Sequence, residues 1–220
     1  MNAIEEFVFK KPHRVLHKFP HYFEIYDRHF ARFRGKPVTV VEIGIGNGGS
    51  LQLWADYFGP AAKIIGVDIA ECSAYVDKGH PQISWICGDQ GSTEFLARLK
   101  VMIPAIDVLI DDGSHICRDQ ILTLAALYNS LTPDGVYLCE DLQTSYHDQF
   151  GGGYKSKSSM IEFLKDRVDE LNGWAAEEKD SFLKTEFMRS TYSISFYTHA
   201  AVIEKRPMDG FLRSPVMEGQ

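Results

Sequence analysis

Short apolar runs rich in β-branched residues alternate with longer amphipathic segments along most of this chain. The runs are continuous rather than alternating, as is typical of parallel strands covered on both faces. They are 38–43, 64–67, 83–86, 106–110 and 136–139. Helices are predicted between them at 50–58, 93–100 and 118–131, the last ending in a turn at 132–135. This order predicts a doubly wound α/β sheet with right-handed crossovers, a Rossmann-like fold.

The two ends of the chain depart from this alternation. Near the start, one aromatic stripe at three- and four-residue spacing predicts a helix packed on the domain: Phe19, Tyr22, Tyr26, Phe30 and Phe33. A second interpretation is a lid over a cofactor, because tyrosines carry polar tips. After a predicted helix at 158–171, the apolar segments 193–197 and 201–204 predict a closing antiparallel hairpin.

The composition limits the protein class. A chain of 220 residues with 45% hydrophobic content can bury one full core. We therefore expect one domain over 1–220, with a helical cap at 1–36, a core at 37–206 and a tail at 207–220. A net charge of −7 gives no general attraction to phosphate backbones, so nucleic acid is not an expected partner. No leader or membrane span is recognisable, which predicts a cytoplasmic protein.

The four cysteines have no C-x-x-C spacing. They are Cys72, Cys87, Cys117 and Cys139, and two of them lie within or beside predicted strands. We expect reduced core residues rather than disulfides or zinc ligands.

A glycine-rich loop follows the first predicted strand. The segment 44–49 satisfies G-x-G-x-x-G, a pattern of nucleotide-binding loops that tight strand-to-helix packing can also explain. Glu42, two residues before the first glycine, suits a ligand with a cationic amino group better than a pyrophosphate. S-adenosylmethionine (SAM) has such a group, and Asp68 at the end of the second strand suits the ribose of SAM or NAD alike. Asp89 and Gln90 follow the third strand, where an adenine edge would lie, although a simple turn is the alternative.

Carboxylates also follow the fourth and fifth predicted strands. Asp112 and the pair Glu140-Asp141 are 28 residues apart (140 − 112), one helix plus one strand, so both reach the same sheet edge. Three carboxylates without a cysteine or a histidine pair select Mg²⁺, with Mn²⁺ next. His115 could take a proton from a hydroxyl bound to that ion, or it could be a solvated side chain beside a helix cap.

Asp111 remains ambiguous between the methionine end of the cofactor, a group behind the metal ligands and a helix cap. The candidate cofactor contacts are Glu42, Gly44, Gly46, Asn47, Gly48, Ser50, Asp68, Asp89, Gln90 and Asp111.

Three motifs together resemble the metal-dependent sugar O-methyltransferases of macrolide tailoring, the mycinamicin and tylosin type. They are 42–46, 111–115 and 140–146, and the likeness covers about residues 17 to 206. It implies a class I methyltransferase fold, SAM as cofactor, metal ligands at Asp112, Glu140 and Asp141, and a catalytic base at His115. The chain is short for the macrolide enzymes, so saccharide or glycolipid acceptors fit it better.

The resemblance leaves rival functions. Catechol-type O-methyltransferases have a similar layout, but with lysine in place of the histidine at 115. A noncatalytic SAM- or nucleotide-binding module and an NAD-dependent oxidoreductase are further alternatives. We expect a small-molecule or oligosaccharide acceptor, and a homo-oligomer remains open.

Overall fold

The fold is a seven-stranded sheet with helices on both faces. It is seen in a computed structural model that describes residues 3–9, 14–71, 79–175, 177 and 185–208. The strands are β1 (Thr39–Ile43), β2 (Lys63–Asp68), β3 (Ile83–Cys87), β4 (Ile106–Asp111), β5 (Leu131–Cys139), β6 (Thr191–Tyr197) and β7 (Ala200–Lys205). The helices are α1 (Ala3–Phe9), α2 (Tyr22–Phe30), α3 (Gly49–Phe58), α4 (Thr93–Met102), α5 (Cys117–Leu127), α6 (Met160–Leu171) and α7 (Glu186–Ser190).

The strand order is β3-β2-β1-β4-β5-β7-β6. The first five strands pair in parallel, and β7 is antiparallel to both β5 and β6. The predicted α/β fold, mostly parallel with a C-terminal antiparallel hairpin, is therefore confirmed. From β1 the chain first builds outward to β2 and β3 and then returns to β4 on the other side. That reversal leaves a crevice at the carboxyl ends of β1 and β4.

Two apolar layers hold the helices on the sheet. On one face, α2 and α3 bury a cluster that includes Tyr26, Phe30, Trp54 and Phe58. On the other face, α4, α5 and α6 bury a second cluster, which includes Leu99, Leu124 and Leu164. Four residues of the predicted aromatic stripe pack in the core, namely Tyr22, Tyr26, Phe30 and Phe33, whereas Phe19 precedes α2 and is 43% exposed.

The structure corrects several boundaries. The helix predicted at 118–131 ends at Leu127 and continues as a 3-10 turn, Tyr128–Ser130. The segment predicted as a turn at 132–135 belongs to β5, where the register with β4 shifts between Ile106 and Val108. Strand β3 is the outermost strand at one end of the described sheet order, and only Ile83 of its five residues is buried.

The prediction that the cysteines are reduced core residues holds for two of the three described cysteines. Cys117 and Cys139 are buried free thiols, whereas Cys87 is exposed at the edge strand β3. Cys72 and most of the predicted tail at 207–220 lie outside the described residues. Among the helices that the structure describes, none has the length and apolar character needed to cross a membrane.

Candidate active site

Sheet register brings the acidic motifs to one edge. Ile43 at the end of β1 pairs with Asp111 of β4, and Asp111 pairs with Cys139 of β5. Asp112 and Glu140 are thus the next residues on two adjacent strands. The sequence prediction that these carboxylates meet beside the glycine loop is correct in its geometry.

The glycine loop needs glycine for both conformation and space. Gly44, Gly46 and Gly48 have φ values of 85°, 47° and 77°, which side chains rarely adopt. A Cβ atom on Gly44 would lie 2.1 Å from the backbone oxygen of Asp112. The loop can therefore press against the turn that carries the metal candidates.

Glu42 lies beneath this loop and is fully buried. The hydroxyl of Ser50 donates to Oε2 of Glu42 at 2.6 Å. Burial raises the pKa of Glu42, while Lys18 and Ser50 oppose that shift. Glu42 and Ser50, both candidate cofactor contacts, are thus hydrogen-bonded to each other in the protein itself.

Asp68 and Gln90 have partners within the protein. The carboxylate of Asp68 accepts from the backbone N–H groups of Ile45 at 3.0 Å and Ala70 at 2.9 Å. Gln90 donates from Nε2 to Asp111 at 2.6 Å and accepts from the N–H of Ser114 at 2.9 Å. In this conformation Asp68 braces the glycine loop and Gln90 braces the turn after β4. Asp89 is exposed, and it accepts from the N–H of Gly91 at 2.8 Å as a turn residue does.

Asp111 is buried behind the site. Besides Gln90, it accepts from the hydroxyl of Tyr137 at 3.0 Å, and burial raises the pKa of Asp111 to about 7. The helix-cap interpretation is wrong, because α5 begins at Cys117 and Ile116 occupies its cap position. The hydrogen bonds of Asp111 favour the interpretation of a group that supports its neighbours from behind.

Asp112, His115 and Asp141 converge at the crevice. Each offers a ligand atom within 4.8 Å of the others, and all three side chains are partly exposed. Nε2 of His115 lies 3.6 Å from Oδ2 of Asp141. This donor set fits a hard divalent cation, since carboxylate oxygens are the ligands that Mg²⁺ prefers.

Two of these residues have strained backbones. His115 and Asp141 have φ values of 58° and 55°, a region that residues other than glycine seldom occupy. The hydroxyl of Thr144 spans them, with the carbonyl oxygen of His115 at 3.0 Å and that of Asp141 at 2.8 Å. Such strain is commonly stored at functional sites, which supports a role for both residues.

Glu140 differs from the other predicted ligands. Its side chain is 1% exposed, and Oε1 accepts from Lys18 at 2.9 Å and from the hydroxyl of Tyr26 at 2.8 Å. Burial raises the pKa of Glu140, and the ammonium of Lys18 opposes this shift. Glu140 is thus not part of the group of ligand atoms that lie within 4.8 Å of one another; Lys18 links it to Asp112, and one of its two oxygens is already bonded to protein groups.

Lys18 is the site residue that the sequence did not reveal. Its ammonium lies 3.1 Å from Oε1 of Glu42, 2.8 Å from Oδ2 of Asp112 and 2.9 Å from Oε1 of Glu140. Burial tends to lower the pKa of Lys18, but the surrounding carboxylates outweigh it and hold that pKa well above its usual value. A single lysine before a helix carries no motif, so only the fold shows its partners.

The N-terminal segment also frames the site. Tyr22 donates its hydroxyl to Oδ1 of Asp141 at 2.9 Å. Val15 passes so close to α3 that a Cβ atom on Gly49 would lie 2.3 Å from its backbone oxygen. The segment 15–18 lines a cavity of about 510 Å³ together with the glycine loop, Asp68, Asp112, His115 and Asp141. The chain beside the crevice is thus the segment 15–18 together with Phe19 and Tyr22, the first two residues of the predicted aromatic stripe.

Comparison with known proteins identifies relatives of this architecture. Residues 14–150 match the family of FtsJ-like methyltransferases. The chain is 36% identical, over 86% of its length and 51% of the relative, to the 8-demethyl-8-α-L-rhamnosyl tetracenomycin-C 2′-O-methyltransferase of Streptomyces olivaceus. It is 34% identical, over 86% of its length and 48% of the relative, to the mycinamicin VI 2″-O-methyltransferase of Micromonospora griseorubida.

A solved structure agrees. The MycE methyltransferase of the mycinamycin biosynthetic pathway, in complex with Mg and SAH, superposes with a TM-score of 0.84 at 31% identity, covering 95% of this chain and 56% of that one. The chain spans about half the length of the curated relatives it matches. The family match and these identities establish that the chain belongs to the FtsJ-like methyltransferase family.

Proposed function

We propose that this protein transfers a methyl group from SAM to a hydroxyl of a sugar, with the help of Mg²⁺ or Mn²⁺. The observation that carries the proposal is the single cavity that joins the glycine loop and Asp68 to Asp112, His115 and Asp141. A methyl donor and an ion-bound hydroxyl would meet there. Relatives whose names include a rhamnosyl or an olivosyl group and an O-methyltransferase activity support a sugar as acceptor.

The cofactor would lie along the carboxyl edge of β1 to β3. Glu42 and the glycine loop suit its cationic methionine end, with Ser50 orienting Glu42. Asp68 suits the ribose hydroxyls. A smaller cavity of about 130 Å³, lined in part by Asp68, Asp89 and Gln90, suits the adenine. Asp111 would act indirectly, through its hydrogen bond with Gln90.

The metal would be held by Asp112, Asp141 and Glu140. Glu140 would contribute through Oε2, since Oε1 accepts from Lys18 and Tyr26. A bound divalent ion would orient two acceptor oxygens and lower the pKa of the reacting hydroxyl. Tyr22 fixes Asp141 by its hydrogen bond, so this ligand is positioned in advance.

His115 is proposed as the general base. As the methyl group moves from the sulfonium to the hydroxyl oxygen, Nε2 of His115 would take the hydroxyl proton, leaving S-adenosylhomocysteine and the methyl ether. Asp141, 3.6 Å from Nε2, would stabilise the imidazolium that forms. The backbone turn at His115, held by Thr144, keeps the ring directed at the crevice.

The test is an acceptor screen with the purified protein, SAM and Mg²⁺. Methyl incorporation into mono- and disaccharides is compared with incorporation into small catechols by mass spectrometry. We expect transfer to sugars, loss of transfer with EDTA and recovery with added Mg²⁺. Transfer to catechols alone would show that the acceptor is an aromatic diol. Full activity in metal-free protein would show that the reaction does not require a metal ion.

A further inference from the structure

A separate cavity of about 230 Å³ lies beyond the acidic cluster at the same sheet edge. Its wall includes Leu142, Gln143, Tyr146, Ile161, Phe196 and His199. These residues come from the 3-10 turn that follows Asp141, from the first turn of α6 and from the hairpin of β6 and β7. The methyl-transfer chemistry proposed above uses none of them.

Sheet order places this cavity in line with the reaction site. The methyl donor would lie over β1 to β3, the acids follow β4 and β5, and β7 and β6 come next. The pairs Cys139–Ala201 and Tyr197–Ala200 put the hairpin turn at the carboxyl edge as well. An acceptor held at the acids can therefore extend toward the hairpin, away from the methyl donor.

Direct contacts connect the two places. The N–H of Leu142, the residue after Asp141, donates to the carbonyl oxygen of His199 at 2.8 Å. The hydroxyl of Tyr22 contacts both Oδ1 of Asp141 at 2.9 Å and the carbonyl oxygen of His199 at 3.1 Å. The cavity thus begins one residue away from a proposed metal ligand, and the same tyrosine braces both.

The wall contains two buried polar atoms that lack partners. Among the described residues, neither Oε1 of Gln143 nor Nδ1 of His199 has a hydrogen-bond partner. Buried polar atoms of this kind are rare in folded proteins, and each calls for a ligand or a water. Both atoms are covered by protein, and a rotation of either side chain would bring an unpaired polar atom to the cavity, where a ligand hydroxyl can satisfy it.

Two aromatic rings complete the wall. Phe196 is 45% exposed and Tyr146 is 51% exposed, although both are large apolar side chains. Exposed rings beside a few polar atoms suit a ligand with an apolar face and a polar rim. A pyranose ring has this character, since its C–H face can stack on an aromatic ring while its hydroxyls reach an amide or an imidazole.

We propose that this cavity binds a second sugar ring of the acceptor, next to the ring that is methylated. The inference rests on the proposed sugar methyltransferase function and extends it to an oligosaccharide. A flat apolar aglycone would cover the aromatic rings but would leave Gln143 and His199 without partners. The small volume fits one ring rather than a longer chain.

The test uses saturation-transfer NMR with Mg²⁺ and S-adenosylhomocysteine present. The probes are methyl α-mannoside and methyl α-rhamnoside, and the corresponding α-linked disaccharides. The variants are Phe196→Ala, which removes the aromatic platform, and Gln143→Leu, which removes the amide but keeps the size. Tyr192→Ala is the matched control, because Tyr192 is 46% exposed on the same strand but lies at its other end.

For wild type and Tyr192→Ala, we expect saturation of both rings of a disaccharide and tighter binding than the monosaccharide shows. Both cavity variants should lose the signal of the second ring and bind the disaccharide about tenfold more weakly. Equal affinity for one and two rings, no sugar binding at all, or unchanged binding by both variants would overturn the subsite. Calorimetry with SAM separates the two hypotheses, since failure to bind SAM would reject the methyltransferase proposal itself.

Discussion

The ammonium of Lys18 lies 2.9 Å from Oε1 of Glu140, with both side chains almost fully buried. The same ammonium contacts Glu42 and Asp112, so one lysine connects the proposed methyl-donor site to the proposed metal site. Carboxylates packed this closely would repel one another without a counter-charge. Lys18 therefore stabilises the metal-free protein, and its charge opposes the arrival of a second cation.

The first prediction is that Lys18→Met binds Mg²⁺ more tightly than wild type. Removing a positive charge about 3 Å from Asp112 and Glu140 should raise the affinity roughly tenfold. Calorimetry without SAM measures this change. The metal-free variant should also melt at a lower temperature, and Mg²⁺ should raise that temperature more than it does for wild type.

Two further variants control this prediction. Lys18→Arg keeps the charge and should retain an affinity near that of wild type. Lys63→Met removes an exposed lysine at the start of β2 and should change nothing. Weaker or unchanged Mg²⁺ binding in a folded Lys18→Met protein would show that Lys18 does not oppose the ion.

The second prediction concerns His115→Ala. If His115 is the base, turnover should fall by on the order of 10²–10⁴-fold while SAM and Mg²⁺ still bind. The side chain of His115 lies close enough to Asp112 and Asp141 to bind the same ion. Calorimetry with Mg²⁺ therefore separates the two roles: loss of a base leaves Mg²⁺ binding unchanged, whereas loss of a metal ligand weakens it. His80→Ala, before β3 at the opposite sheet edge, is the control. Near-normal turnover in His115→Ala would require another base.

The third prediction compares two glycines with positive φ. Gly35 has φ 72° and open space where a Cβ would lie, whereas Gly44 has φ 85° and backbone 2.1 Å away. Gly35→Ala should lower the free energy of unfolding by about 1 kcal/mol, since it adds only the strain of a positive φ. Gly44→Ala should lower the free energy of unfolding by about 3 kcal/mol or more, because the glycine loop and the turn at Asp112 must move apart. Urea unfolding measures both, and equal costs would contradict the close approach.

The fourth prediction is that Asp68→Ala weakens SAM binding at least about tenfold. The substitution removes the acceptor for the N–H groups of Ile45 and Ala70 as well as the proposed ribose contact. Asp56→Ala, at an exposed position of α3, is the control. Calorimetry with SAM and with NAD measures the effect, and binding of NAD instead of SAM would refute the cofactor assignment.

The fifth prediction concerns Glu204 of β7, which contacts His29 of α2 and Arg32 of the 3-10 turn that follows α2. Its hydrogen bond with His29 and its ion pair with Arg32 lower the pKa of Glu204 to about 2. A lowered pKa means that the stabilisation is present above the unfolded pKa of about 4.3 and is lost as pH falls toward 2. Glu204→Gln should therefore unfold more easily than wild type at pH 7, by roughly 1 kcal/mol.

Urea unfolding between pH 7 and pH 2.5 checks this window, since the difference from wild type should shrink on acidification. Glu24→Gln, at a side chain that is 78% exposed, should leave stability nearly unchanged. A difference between Glu204→Gln and wild type that stays constant with pH would contradict the assigned ion pair.

Local sequence was enough to predict the fold and the sheet edge at which the acidic residues meet. Continuous β-branched runs are typical of parallel strands covered on both faces, so their alternation with helices predicted the wound sheet. Residues at or directly after the ends of such strands must lie at the carboxyl edge, which is why Asp68, Asp112 and Glu140 could be placed together. The closing hairpin was also predicted, because its two apolar segments flank a very short connection.

Tertiary structure alone decided which partners these residues have. Lys18 is 122 residues from Glu140 in sequence, and Tyr22 is 119 residues from Asp141. No local pattern encodes such contacts, because they depend on how α2 and the segment before it pack across the crevice. Only the tertiary structure shows that Gln90 and Asp111 are buried against each other and that Cys87 is exposed on an edge strand. The sequence specified which chemical groups reach the site, and tertiary packing determined their distances, their burial and the pKa shifts that burial causes.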